Sequence, residues 1–227
     1  MQFVDFTILR PGRDEFRYRV EADTGKVWCT QACEGGSLRP EARCPTCRAD
    51  SDECQALRMI LPVLRFFSTV TSSERVKVAY KDETISAVHE TSAQRAAFLV
   101  MMHGLVLSRC VLFNRFRFLL NLYKFRLDEH IFFHMLVTYS LLNAMFEGRE
   151  TNEDEVRHRI AEYTSEIKSR LHRILRGARQ LGDKDAALNG LNIIFSVNQL
   201  SRDTLGGILK QFRDELTPSP LVYLRGE

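Results

Sequence analysis

Apolar and polar residues partly alternate over "FVDFTIL" (residues 3–9) and again over "FRYRVEA" (residues 16–22), the two-residue period of a half-buried strand. Between them "RPGRDE" carries the Pro-Gly pair of a turn, so residues 3–28 are predicted to fold as a β-hairpin. A second turn, "DTGK", delivers the chain through Val27 and Trp28 into Cys29.

From about Leu57 the period changes to that of a helix. "CQALRMILPVLRFF" is apolar at helical spacing, with Pro62 placed to kink the helix or to fall in its first turn. "VKVAY" (residues 76–80) has the form of a short strand. A long helical region is predicted from about Thr91 to Leu127, with a break near Gly104, and another from Asp128 and Glu129 to about Gly148. Asn152 and Glu155 have the spacing of a capping box, and the helix they open is predicted to run to about Gly182. Along it Ile160, Thr164, Ile167, Leu171, Ile174, Ala178 and Leu181 lay one apolar seam. "LNIIFSVNQL" (residues 191–200) fits strand or helix, and Ser201 caps a last helix whose Leu205, Ile208, Leu209, Phe212 and Leu216 share a face. The pattern therefore predicts a mainly α protein. A small β-hairpin and metal-binding module (residues 1–54) precedes a helical C-terminal domain (residues 55–227).

With 227 residues and 44% hydrophobic content, a sizeable core can form. The apolar runs "AAFLVMMHGLVL" and "IFFHMLVTYSLLNAMF" are shorter than the roughly 18 residues of a membrane span and each contains a histidine, so buried helices are expected and no membrane span. No basic segment followed by an apolar one opens the sequence, so no secretory signal is readable. An intracellular, reducing compartment, nucleus or cytoplasm, is expected.

Cysteine changes the picture most. Four of the six fall in "CTQACEGGSLRPEARCPTC", as Cys29, Cys33, Cys44 and Cys47, a C-x3-C-x10-C-x2-C spacing. A gap of two or three residues lets both thiolates of a pair reach one ion from a tight turn, and the intervening loop with Gly35, Gly36 and Pro40 can bring the pairs together. These four are the predicted ligands of one structural Zn2+, with Cys54 or a histidine able to replace one of them. Four thiolates close the coordination sphere, so the ion would serve folding and not catalysis. Trp28 is expected to pack beside this site. Cys110, in an apolar helical run, is expected to be a buried thiol.

Charge is blocked along the chain. Residues 109–126 carry five basic residues and no acid, residues 127–156 seven acids against Arg149, and residues 157–180 seven basic residues against Glu162 and Glu166. Arg115 and Arg117, interleaved with aromatics, and a strip of Arg159, Lys168, Arg170, Arg173, Arg176 and Arg179 are the candidate contacts for nucleic acid or a partner. His130 and His134 are one turn apart, but no glutamate completes a helical zinc motif, and core or partner contacts suit them better. Nucleophile elbow, phosphate loop, dinucleotide fingerprint and paired catalytic carboxylates are all missing from the sequence, so an enzyme is not predicted.

In the order of its parts alone, a four-cysteine module before helices resembles zinc-ribbon transcription factors. "CPTCR" is similar to the end of a RING, but a RING needs eight ligands and this module offers four. The expected function is that of a zinc-binding, non-enzymatic regulatory protein that contacts nucleic acid or a transcription assembly through basic helical surfaces. The alternative is a zinc-stabilised protein-protein adaptor that binds no nucleic acid. Binding of a protein partner is expected in both cases.

Overall fold

Val4, Phe6 and Ile8 are buried while their neighbours face outward, and the same alternation repeats at Phe16, Tyr18 and Val20 and at Val76, Val78 and Tyr80. Three strands with one buried side each need a common cover, and the chain supplies it from helices. The computed structural model describes residues 3–12, 15–30, 54–120, 131–148, 153–178, 184–196, 206, 207 and 210. Its strands are β1 (Phe3–Leu9), β2 (Glu15–Glu21), β3 (Val27–Cys29), β4 (Arg75–Lys81) and β5 (Ser86–Ser92). They form one antiparallel sheet in the order β3-β2-β1-β4-β5. The first turn uses Gly12 at φ 66°, a left-handed conformation that the Pro-Gly pair allows at low cost.

The expectation of a mainly α protein is therefore corrected: this is a mixed α/β fold, with helix over 57% and strand over 22% of the described residues. β4 was legible as "VKVAY", but β5 was not. "SAVHETS" contains few strongly apolar residues because it lies at the sheet edge, where its inward positions Ala87, His89 and Thr91 need little bulk. The sheet takes β1–β3 from one side of residue 54 and β4 and β5 from the other, with β1 paired to both β2 and β4.

The helices are α1 (Gln55–Phe67), α2 (Ala93–Leu107), α3 (Val111–Asn114), α4 (Ile131–Phe146), α5 (Glu153–Ala178) and α6 (Ala186–Ser196). Helix α1 continues through Pro62, giving up one backbone hydrogen bond. Helix α2 is buried on nearly every side, as its all-round apolar sequence requires. It runs through Gly104 and ends three residues later at Leu107, with Ser108 extended, close to the predicted break. At Gly104 the missing side chain admits Tyr18, whose hydroxyl would stand 2.7 Å from a Cβ and which donates to the Met59 carbonyl at 2.7 Å. Phe16 stacks on Phe66 at 4.4 Å, and Phe6 meets His103 edge to face at 5.1 Å, so α1 and α2 close the inner side of the sheet.

Behind them α6 packs on α2 and α1, and α5 packs on α4 and α6. The predicted seam of α5 is buried at Ile160, Thr164, Ile167, Leu171 and Ile174. The ambiguous segment from residue 191 is helical as far as Ser196, and the last predicted helix lies outside the described residues except at 206, 207 and 210, which are helical. Among the described residues no helix is long and apolar enough to cross a membrane.

Candidate partner-binding surfaces

Cys29 ends β3, where it pairs with Tyr18, and the next residue exchanges two bonds with Arg17: Thr30 N–H to the Arg17 carbonyl at 3.1 Å and Arg17 N–H to Thr30 Oγ1 at 3.0 Å. Cys54 stands just before α1 and accepts the Arg58 N–H at 2.9 Å, opening the helix. Both cysteines are half-buried against the same core. The two described cysteines that flank residues 31–53 are thus each held by backbone pairing or by a helix start.

Cys33, Cys44 and Cys47 lie outside the described residues, so Cys29 alone of the predicted ligands can be placed. It is disulfide-bonded. A disulfide and a zinc thiolate site are the oxidised and the reduced, metal-loaded fates open to cysteines spaced this closely in sequence. Trp28 does not accompany Cys29. Strand alternation turns it to the opposite side of the sheet, where it is 47% exposed. Cys110 is a buried thiol outside any disulfide.

The described members of the basic set are largely engaged within the chain. The Arg115 guanidinium lies 4.9 Å from the centre of the Tyr163 ring and 3.7 Å from Glu166, binding the α3 region to α5. Arg117 donates to Asp23 at 2.7 Å, linking the turn after α3 to the β2–β3 turn. Arg159 bridges Glu147 and Glu155 at 3.0 Å each, with its side chain 12% exposed. Those carboxylates, Glu147 first, raise its already high pKa. Arg170 is half-buried and engaged, whereas Lys168 is exposed. Arg173 and Arg176 are on α5 but their side chains are not described, and Arg179 lies beyond it. The N-terminal half of α5 therefore offers a braced helix surface in place of an open basic strip.

Sequence reasoning missed the outer side of the sheet. Its positions include Arg17, Arg19 and Trp28, and along β4 Arg75, Lys77 and Lys81, all exposed. Arg19 forms a short ion pair with Asp5 while its guanidinium lies 5.0 Å from the centre of the Phe3 ring. Arg17 pairs with Glu15. The signal was present: in "EFRYRVE" and "RVKVAYK" most of the polar alternates are basic.

Among the described residues, no group of three or more histidine, cysteine or acidic side chains is placed to hold a metal ion. Comparison with protein-family models, curated sequences and solved structures gives no match, so the functional reading rests on these surfaces and on the cysteine spacing.

Proposed function

We propose that this protein is a zinc-stabilised, non-enzymatic regulatory protein of a reducing compartment that contacts nucleic acid, directly or within a transcription assembly. The observation that carries the proposal is the bracketing of the cysteine-rich segment in sequence by Cys29 and Cys54, both half-buried against the core. A metal at Cys29, Cys33, Cys44 and Cys47 would order a segment too short to build a core of its own, and it would fix that segment against the sheet edge. Four thiolate ligands leave no position for water or substrate, which favours a binding role over catalysis.

Two measurements test this reading. Reduced protein made with zinc present should hold one zinc per chain, and it should bind DNA or RNA with an affinity that falls steeply between roughly 50 and 200 mM salt. The helical contribution is read from the Arg173→Gln, Arg176→Gln, Arg179→Gln triple variant, which should bind more weakly to every sequence. A chain without metal, or one that binds no nucleic acid at low salt, would overturn the corresponding half of the proposal.

The adaptor reading draws support from one observation: Arg115, Arg117 and Arg159 are tied to Glu166, Asp23, Glu147 and Glu155, which withdraws them from phosphate. Salt-independent capture of a protein partner with no nucleic-acid binding would put that reading first.

A further inference from the structure

We infer that the outer side of the sheet is a platform for single-stranded nucleic acid, with Trp28 and Arg19 at its stacking end and the β4 cations at its phosphate end. The inference rests on the nucleic-acid reading above and moves the principal contact from helix to sheet.

The helices α1 and α2 cover the inner side, where Val4, Phe6, Ile8, Phe16, Tyr18, Val20, Val76, Val78 and Tyr80 are buried. The outer side keeps large groups in solvent: Trp28, Leu9 and Val88 are all exposed, Val88 by 67%. Register fixes how they are arranged. Trp28 stands opposite Arg19, Arg19 opposite Asp5 and Asp5 opposite Lys81, a row across four strands. The next row runs from Arg17 through Thr7 and Ala79 to Val88. At about 4.8 Å between strands, Trp28 and Lys81 are about 14 Å apart across the sheet.

Chemistry separates the two ends. At the β3–β2 end, Arg19 is a planar guanidinium held over the Phe3 ring beside an exposed indole, and both present flat surfaces on which bases stack. At the β4 end, Arg75, Lys77 and Lys81 occupy alternate positions of one strand, so Arg75 and Lys77 are about 7 Å apart along it. Acids share this side, but most are occupied: Asp5 pairs with Arg19, Glu15 with Arg17, and Glu21 accepts a hydrogen bond from Thr24. Glu90 lies opposite Lys77 in register. Among the described residues no ion pair engages Lys77 or Lys81, so these two remain available to an anionic backbone. Stacking on Trp28 needs bases that are free of partners, which selects a single strand over a duplex.

Trp28 is the only tryptophan of the chain, so its emission reports this surface directly. Full-length, zinc-replete protein is titrated with an oligodeoxythymidine of roughly twelve nucleotides, with a duplex of equal length and with polyglutamate. The single strand should quench Trp28. Trp28→Ala, followed through a fluorescent label on the oligonucleotide, should weaken binding roughly fivefold to a hundredfold. Lys77→Gln with Lys81→Gln should weaken it further as salt falls and reduce the slope of log affinity against log salt by about 1.4. Circular dichroism of both variants should match the wild type, since all three side chains face solvent.

Normal binding by the sheet variants, together with loss in the Arg173, Arg176, Arg179 triple variant, overturns the platform and leaves the helical surface as the contact. Preference for the duplex overturns the choice of a single strand. Quenching by polyglutamate alone overturns it in favour of an acidic protein partner, and binding of no nucleic acid at low salt removes both readings.

Discussion

A Cβ placed on Gly190 would stand 2.9 Å from the Cβ of Ala97 and 3.0 Å from the backbone nitrogen of Phe98. Glycine therefore sets the distance at which α6 lies on α2. The neighbouring atoms cannot yield as a long side chain could, because one is backbone and the other is bonded directly to it. Gly190→Ala gains about 1 kcal/mol of helix propensity but forces the helices apart, which costs typically 1–3 kcal/mol. The net expectation is a loss of up to roughly 2 kcal/mol, seen as a lower denaturation midpoint. Gly207 provides the control. Among the described residues nothing lies within 4 Å of its Cβ position, so Gly207→Ala should be neutral or slightly stabilising.

Arg10 and Glu74 make a two-pronged bond, Nε to Oε1 at 2.7 Å and Nη2 to Oε2 at 2.9 Å, between the end of β1 and the start of β4. The Arg10 side chain is 8% exposed and that of Glu74 28%, so the arginine is the more costly partner to leave alone. Glu74→Ala is expected to cost roughly 3 kcal/mol and Arg10→Ala less, about 1.5–2 kcal/mol. Equal losses in chemical denaturation would show that the burial difference is immaterial.

His103 is fully buried on α2, donates Nδ1–H to the Leu99 carbonyl at 2.9 Å, and has no hydrogen-bond partner at Nε2 among the described residues. Burial lowers its pKa to about 4, while the Leu99 bond and nearby Asp82 oppose the shift. The unfolded chain takes up this proton near the ordinary histidine value of about 6.5, before the folded one does. Stability from this group is thus complete above pH 6.5 and lost as pH falls toward 4, on the order of 3 kcal/mol in all. His103→Leu should flatten that part of the stability profile. An unchanged acid slope in the variant would assign the loss to carboxylates instead.

The strands and helices that bury one regular side were readable from sequence. β1, β2 and β4 showed their alternation, and the seam of α5 showed its three- and four-residue steps. What failed was association between distant segments. Nothing in the local pattern of "VKVAY" says that it pairs with residues 5–9, and an edge strand such as β5 needs too few apolar residues to announce itself. Reading helix from Thr91 was nearly right, since α2 begins at Ala93, but it absorbed the end of β5. For the candidate surfaces the limit was different. Charge can be counted in a sequence, yet Arg115 on Tyr163 and Arg117 on Asp23 are tertiary pairings, and they decide whether a cation is free to bind.

Sharing of the sheet across residue 54 changes what loss of the metal should do. Were the first 54 residues a separate module, Cys44→Ser would unfold all of them. Instead β1 and β2 bury Val4, Phe6, Ile8, Phe16, Tyr18 and Val20 in one core shared with α1, α2 and the rest of the sheet. Cys44→Ser and Cys47→Ser are therefore expected to abolish zinc binding, measured by elemental analysis of reduced protein, while circular dichroism and the main unfolding transition change little. Protease should cut both variants within residues 31–53 far faster than the zinc-loaded wild type. Loss of the whole transition in either variant would show that the sheet depends on the metal. Full zinc content in both would remove Cys44 and Cys47 from the ligand set.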